Sequence, residues 1–116
     1  MDIRVAMREL GFVSVEAEFS GGGDESQFDA IMGYPACGSR RELIPYGGIR
    51  ESNEIAIIDY LYHIQRKGGW GGDGPGIYGA IVLTADGSAV LTGWAEVYVK
   101  QDSEHYHYDY TPETEN

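Results

Sequence analysis

A chain of 116 residues, 42% of them apolar, fits one domain with its own hydrophobic core rather than two. Its 19 acidic residues against 8 basic give a net charge of −11, a field that repels nucleic acid and points to a basic partner if it points to any. No apolar run is long enough for a membrane span. Charges interrupt the apolar residues of the first ten positions, unlike a secretory signal, and the single Cys37 has neither a disulfide partner nor the spaced ligands of a structural zinc site, so the expectation is a cytoplasmic protein.

Ile3, Ala6, Met7 and Leu10 recur at helical spacing, with Asp2 as N-cap and Gly11 at the C′ position. A helix this short depends on docking against a sheet. Residues 12–19 change period to two, with Val13, Val15, Ala17 and Phe19 set against Ser14, Glu16 and Glu18, which predicts a half-buried strand with two carboxylates on its outward face. Ser20 to Gln27 reads as a flexible turn and Phe28 to Tyr34 as a returning strand. The Gly21-Gly22-Gly23-Asp24 run lacks the Lys-Ser/Thr pair of a phosphate loop and the alternating ligands of a calcium loop, and reads as a hairpin connection. Residues 35–51 have no period and hold Arg40, Arg41 and Arg50, a long loop and candidate contact surface.

Ser52 reads as the N-cap of a second helix, with Ile55, Ile58, Leu61, Tyr62 and Gln65 on one face and Ala56, Ile57 and Ile64 widening it. Arg66 and Lys67 suit the negative end of the helix dipole, and Gly68 takes the C′ position. His63 reads as structural, since no nucleophile stands at a paired spacing. Seven of residues 68–79 are glycine, and Trp70 is the expected anchor of that loop. Gly74-Pro75-Gly76-Ile77-Tyr78-Gly79 matches a bare Gly-x-Gly-x-x-Gly string, but a helix precedes it and a strand follows, the reverse of a dinucleotide site. Residues 77–85 then predict a strand, Ala85-Asp86-Gly87-Ser88 a hairpin with Asp-Gly at the centre of a type I′ turn, and Ala89 to Lys100 a long return with Gly93 as a candidate bulge.

From Gln101 onward the chain has acids but no Lys or Arg, and Asp102, Glu104 and Asp109 interleave with Tyr106, Tyr108 and Tyr110. If a strand continues here, His105, His107 and Asp109 share a face and form a candidate metal set, the basis of an alternative reading as a metal-binding protein or metal-dependent hydrolase. The competing reading is an edge strand of tyrosines and acids suited to contacting a protein.

Several short motifs together resemble a family of small acidic bacterial and mobile-element proteins. They are Gly21, Gly23, Asp24 and Gln27; Gly68, Gly69 and Trp70; Tyr78 and Gly79; and Tyr98, Glu104 and His107. Glu25-Ser26 and Arg66-Lys67 depart from its pattern, the latter standing where a histidine is expected. The resemblance implies the same fold and adds no activity to the reading, and it implies a plasmid or phage context, in which small acidic proteins often block host defence.

The expected fold is therefore α+β: one antiparallel sheet of about four strands in the order α-β-β-α-β-β, both helices on one face, a single domain over residues 1–110, and a flexible acidic tail over 111–116. The expected function is a non-enzymatic, cofactor-free inhibitor of the anti-CRISPR kind, acting in the host cytoplasm. It would bind a basic nucleic-acid-binding protein or complex by imitating nucleic acid, and bind neither nucleic acid nor membrane itself. Glu16, Glu18, Asp102, Glu104, Tyr106, Tyr108 and Asp109 are the expected contacts.

Overall fold

The computed structural model describes residues 2–22, 25–44, 51–67, 77–97 and 102–111. The elements are α1 (Ile3–Leu10), β1 (Phe12–Gly22), β2 (Glu25–Pro35), β3 (Arg41–Leu43), α2 (Ser52–Lys67), β4 (Ile77–Thr84), β5 (Ala89–Val97) and β6 (Asp102–Tyr110). The class is α+β as expected, but the antiparallel sheet has six strands rather than four, ordered β3-β2-β1-β4-β5-β6. The two additional strands are β3, inside the stretch that reads as a loop, and β6, the Tyr-rich segment that follows β5.

Helix α1 forms as its caps dictate. The Asp2 carboxylate accepts from the Arg4 N–H at 2.9 Å, and Gly11 takes the left-handed conformation, φ 77°, that closes the helix. Helix α2 starts differently from expectation. Glu51, not Ser52, occupies the N-cap: its carboxylate accepts from the Asn53 N–H at 3.2 Å, while the Glu54 carboxylate reaches back to the Glu51 N–H at 3.4 Å. The Glu54 contact is the returning half of a capping box, while the glutamate at the N-cap takes the second rather than the third amide of the helix. Glu54 also pairs with the Arg41 guanidinium, which fastens β3 to the start of α2. The buried stripe of α2 is Ile57, Ile58, Leu61, Ile64 and Gln65, so the helix is rotated from the expected face and leaves Ile55 40% exposed.

A single core lies between the helices and one face of the sheet, built from Ile3, Ala6 and Met7 of α1, the α2 stripe, and Val15, Ala17, Phe19, Phe28, Ile31, Leu43, Ile81, Leu83, Ala89 and Leu91 of the strands. Burying each large aliphatic or aromatic side chain contributes about 1.5–3 kcal/mol. Two bulges set which residues turn inward. The register of β1 with β2 shifts between Phe12 and Ser14, so Phe12 is buried and Val13, expected inside, is 48% exposed. It shifts again between Glu18 and Phe19, making Asp29 the extra residue of β2 and bringing Phe28 opposite Phe19, ring edge to ring face at 6.2 Å.

Gly93 makes no bulge, because β4 and β5 stay in register from Ile77↔Ala95 to Leu83↔Ala89. It pairs instead with Gly79, and the Phe19 ring packs over that position: a Cβ on Gly79 would come against the Thr92 carbonyl and within 2.9 Å of both Gly93 Cα and the Phe19 ring. The β4–β5 hairpin also differs from the type I′ expectation. Thr84 N–H donates to Ser88 O at 2.9 Å and Gly87 N–H to Thr84 O at 3.0 Å, enclosing three residues with Gly87 at φ 91°, the geometry of a type I turn followed by a left-handed glycine. The Tyr60 hydroxyl of α2 donates to Gly87 O at 2.7 Å, and its ring meets Tyr110 of β6 edge to face at 5.7 Å, so α2 holds both the hairpin and the end of the last strand. Burial, with the Tyr110 hydroxyl beside it, pushes the Tyr60 phenol above its ordinary range.

Gly79→Ala is expected to destabilise the fold by about 1–3 kcal/mol in urea unfolding, the cost of overpacking a site walled by backbone. A midpoint equal to the parent's would show that the sheet yields there without cost. Asp86 yields a pH prediction. The Ser88 hydroxyl at 2.6 Å, the Thr84 hydroxyl at 2.6 Å and the Ser88 N–H at 3.0 Å all approach its carboxylate and hold its pKa down at about 2. Since the folded value is depressed, this contribution to stability is present above the unfolded carboxylate's pKa near 4 and is lost as pH falls through about 2. Thermal midpoints of Asp86→Asn should therefore fall less steeply than the parent's between pH 4 and pH 2, and parallel curves would rule the mechanism out.

Candidate functional site

Both helices lie on one side, so the other face of the sheet has no layer over it among the described residues. Register places Glu42, Met32, Glu16, Val82, Val90 and Asp109 in one row across all six strands. The next row holds Ala30, Glu18, Ala80, Thr92 and His107. Side chains alternate across a sheet, and the neighbours of these residues along each strand (Val15, Ala17, Ile31, Ile81, Leu83, Leu91) belong to the core, so both rows face away from the helices.

The face combines carboxylates with apolar surface. Glu16, Glu18, Glu42 and Asp109 are exposed, and Val82, Val90 and Tyr78 are 39%, 39% and 46% exposed. Glu16 and Glu18 stand about 7 Å apart along β1, and Asp109 is about 14 Å from Glu16 across three strand spacings, with the two valines between. The Tyr34 hydroxyl donates to Glu16 Oε2 at 3.2 Å, steadying one carboxylate without neutralising it. His107 Nε2 lies 2.9 Å from Asp109 Oδ1. An open depression of about 410 Å³, lined in part by Glu18, Ser20, Asp29, Tyr78, Ala80 and Thr92, gives the face relief. Among the described strand residues the only Lys or Arg is Arg41, whose guanidinium pairs with Glu54 of α2. The face is thus acidic and partly apolar, with no fixed cation of its own among the described strand residues.

The expected contact residues separate in the structure. Glu16, Glu18 and Asp109 share the open face. Tyr108 does not: it is partly buried and packs against the core, alongside Tyr110. Asp102, Glu104 and Tyr106 have backbone positions in β6, opposite Val97, Ala95 and Gly93, while their side chains lie outside the described residues. Trp70, the expected loop anchor, also lies outside them. Of the alternative metal set, His107 and Asp109 contact each other, and the His105 side chain falls outside the described residues. Among the described residues no group of three His, Cys, Asp or Glu is arranged to hold a metal ion, and no helix is long and apolar enough to cross a membrane.

Sequence reading alone missed Glu42, Tyr78, Val82 and Val90. Glu42 sits in a strand of three residues, too short to show a period. Val82 and Val90 sit in apolar runs where alternation is hidden, because apolar residues occupy both faces. Comparison with protein-family models, curated proteins and solved structures gave no match to this chain.

Proposed function

We propose that this protein is a non-enzymatic binding module that sets the open, acidic face of its sheet against a basic nucleic-acid-binding protein or complex, and so competes with that partner's nucleic acid. In its finer form the proposal is an inhibitor of a nucleic-acid-handling host defence complex, of the anti-CRISPR kind, acting in the host cytoplasm. The observation that supports it is the sign of charge on the uncovered face: Glu42, Glu16, Glu18 and Asp109 lie on it from edge to edge, no Lys or Arg lies on it among the described residues, and the described strands' one guanidinium is paired with an α2 carboxylate. Carboxylates at these spacings offer a basic groove the sign of charge that phosphates offer, and complementary charge speeds and orients encounter. Tyr78, Val82 and Val90 supply apolar area for a dry centre, while the carboxylates form a polar surround.

A tagged pull-down from host lysate, read by mass spectrometry, should retain a nucleic-acid-binding protein at low salt, retain less at physiological salt, and release it when its own DNA or RNA is added. The combined variant Glu16→Gln, Glu18→Gln, Glu42→Gln, Asp109→Asn should weaken that retention roughly tenfold or more, while leaving the unfolding midpoint near the parent's because all four side chains are exposed. Retention indifferent to both salt and the four substitutions would overturn the proposal.

A further inference from the structure

The two edges of the sheet are built differently. β3 is three residues long and includes Arg41, and short length and positive charge are ordinary ways of blunting an edge. β6 is nine residues long, DSEHYHYDY, with no Pro, Gly, Lys or Arg, and its register with β5 is unbroken from Ala89↔Tyr110 to Val97↔Asp102. It has neither bulge nor proline to turn away an incoming strand. In an antiparallel strand every second residue directs its N–H and C=O away from the paired neighbour, so the outer side of β6 offers a row of hydrogen-bonding groups, with no strand on it among the described residues.

We propose that β6 is a strand-addition site, at which an extended segment of the basic partner pairs as a seventh strand. The sign of the partner's charge rests on the function proposed above; the strand pairing rests on the edge. The two faces of β6 state what that segment should look like. On the open face its side chains would stand beside Asp109 and His107, both exposed, with no Lys or Arg on any described part of that face, so Lys or Arg fits there. On the helix face they would stand beside Tyr108 and Tyr110, which close the end of the core, so aliphatic or aromatic residues fit there. The ligand is an extended segment of alternating basic and apolar residues, with backbone hydrogen bonds supplying affinity and alternate side chains supplying selectivity.

The test uses the full chain and a fluorescently labelled nonapeptide of alternating Lys and Val, read by anisotropy at low salt. Two further peptides carry N-methyl groups on the amides of either the Lys or the Val residues. All three have the same charge and side chains, but in a paired strand only one of the two amide sets faces β6. The parent peptide is expected to bind, one methylated series to lose at least tenfold in affinity, and the other to stay within about twofold of the parent. Failure of the parent peptide to bind, or an equal effect of the two methylations, overturns strand addition. Binding that survives both methylations yet falls with salt removes the edge and leaves the acidic face standing. The two proposals therefore fail separately.

Discussion

Among the described residues four of the five strand pairings join consecutive strands; the fifth, β1 with β4, does not, and the architecture depends on it. It unites two three-stranded meanders, β1-β2-β3 and β4-β5-β6, each preceded by one helix, and it runs in register from Ser14↔Thr84 to Gly21↔Ile77. Without it each meander would be a small sheet with one helix and too little core. With it, Ala17 faces Ile81 and Val15 faces Leu83 at the sheet's centre, and the two helices pack against each other, α1 on β1 and α2 on β4 and β5. Because the contact spans a long stretch of chain, its loop-closure entropy must be met before it forms.

The joined sheet explains why one face is closed and the other open. The described residues form two helices, of 8 and 16 residues, enough to cover one side. The sequence conforms to that supply: buried residues keep to one face of the strands, with the two bulges resetting the alternation, and Glu, Thr, Ser and a few exposed valines take the other. An antiparallel sheet tolerates this arrangement, since its second face can be solvated. Charge then decides what the solvated face can meet. Acids at Glu42, Glu16 and Asp109, spread from edge to edge, suit a positive surface and discourage a second copy of the same chain from stacking face to face.

Much of this organisation was legible in the residues. Asp2 and Gly11 bounded α1 because capping is local chemistry, and Glu16 and Glu18 declared their face because β1 alternates strictly after Ser14. What could not be read depended on contacts remote in sequence. Val13 is outside and Phe12 inside because of a bulge against β2, and Ile55 is outside because α2 rotates to meet both sheet and α1. β3 exists because Leu43 finds Ile31 and because Arg41 finds Glu54, a pairing no three-residue pattern announces. The candidate face was half visible: its β1 acids followed from period, whereas Glu42 and the two valines needed the strand order that puts them in one row.

Division of labour between the two faces also bears on how such a chain changes over generations. Residues on the helix side are tied to one another by volume, so a substitution there is felt by several neighbours. Residues on the open face touch mainly solvent, and exchanging them alters stability by little. On the function proposed above, recognition can therefore drift while the scaffold stays intact, and a partner that escapes by altering its own surface can be followed by changes at Glu16, Glu42, Val82 or Asp109 without re-solving the core. A one-sided fold of this kind is well placed in any contest where binding must be revised faster than folding.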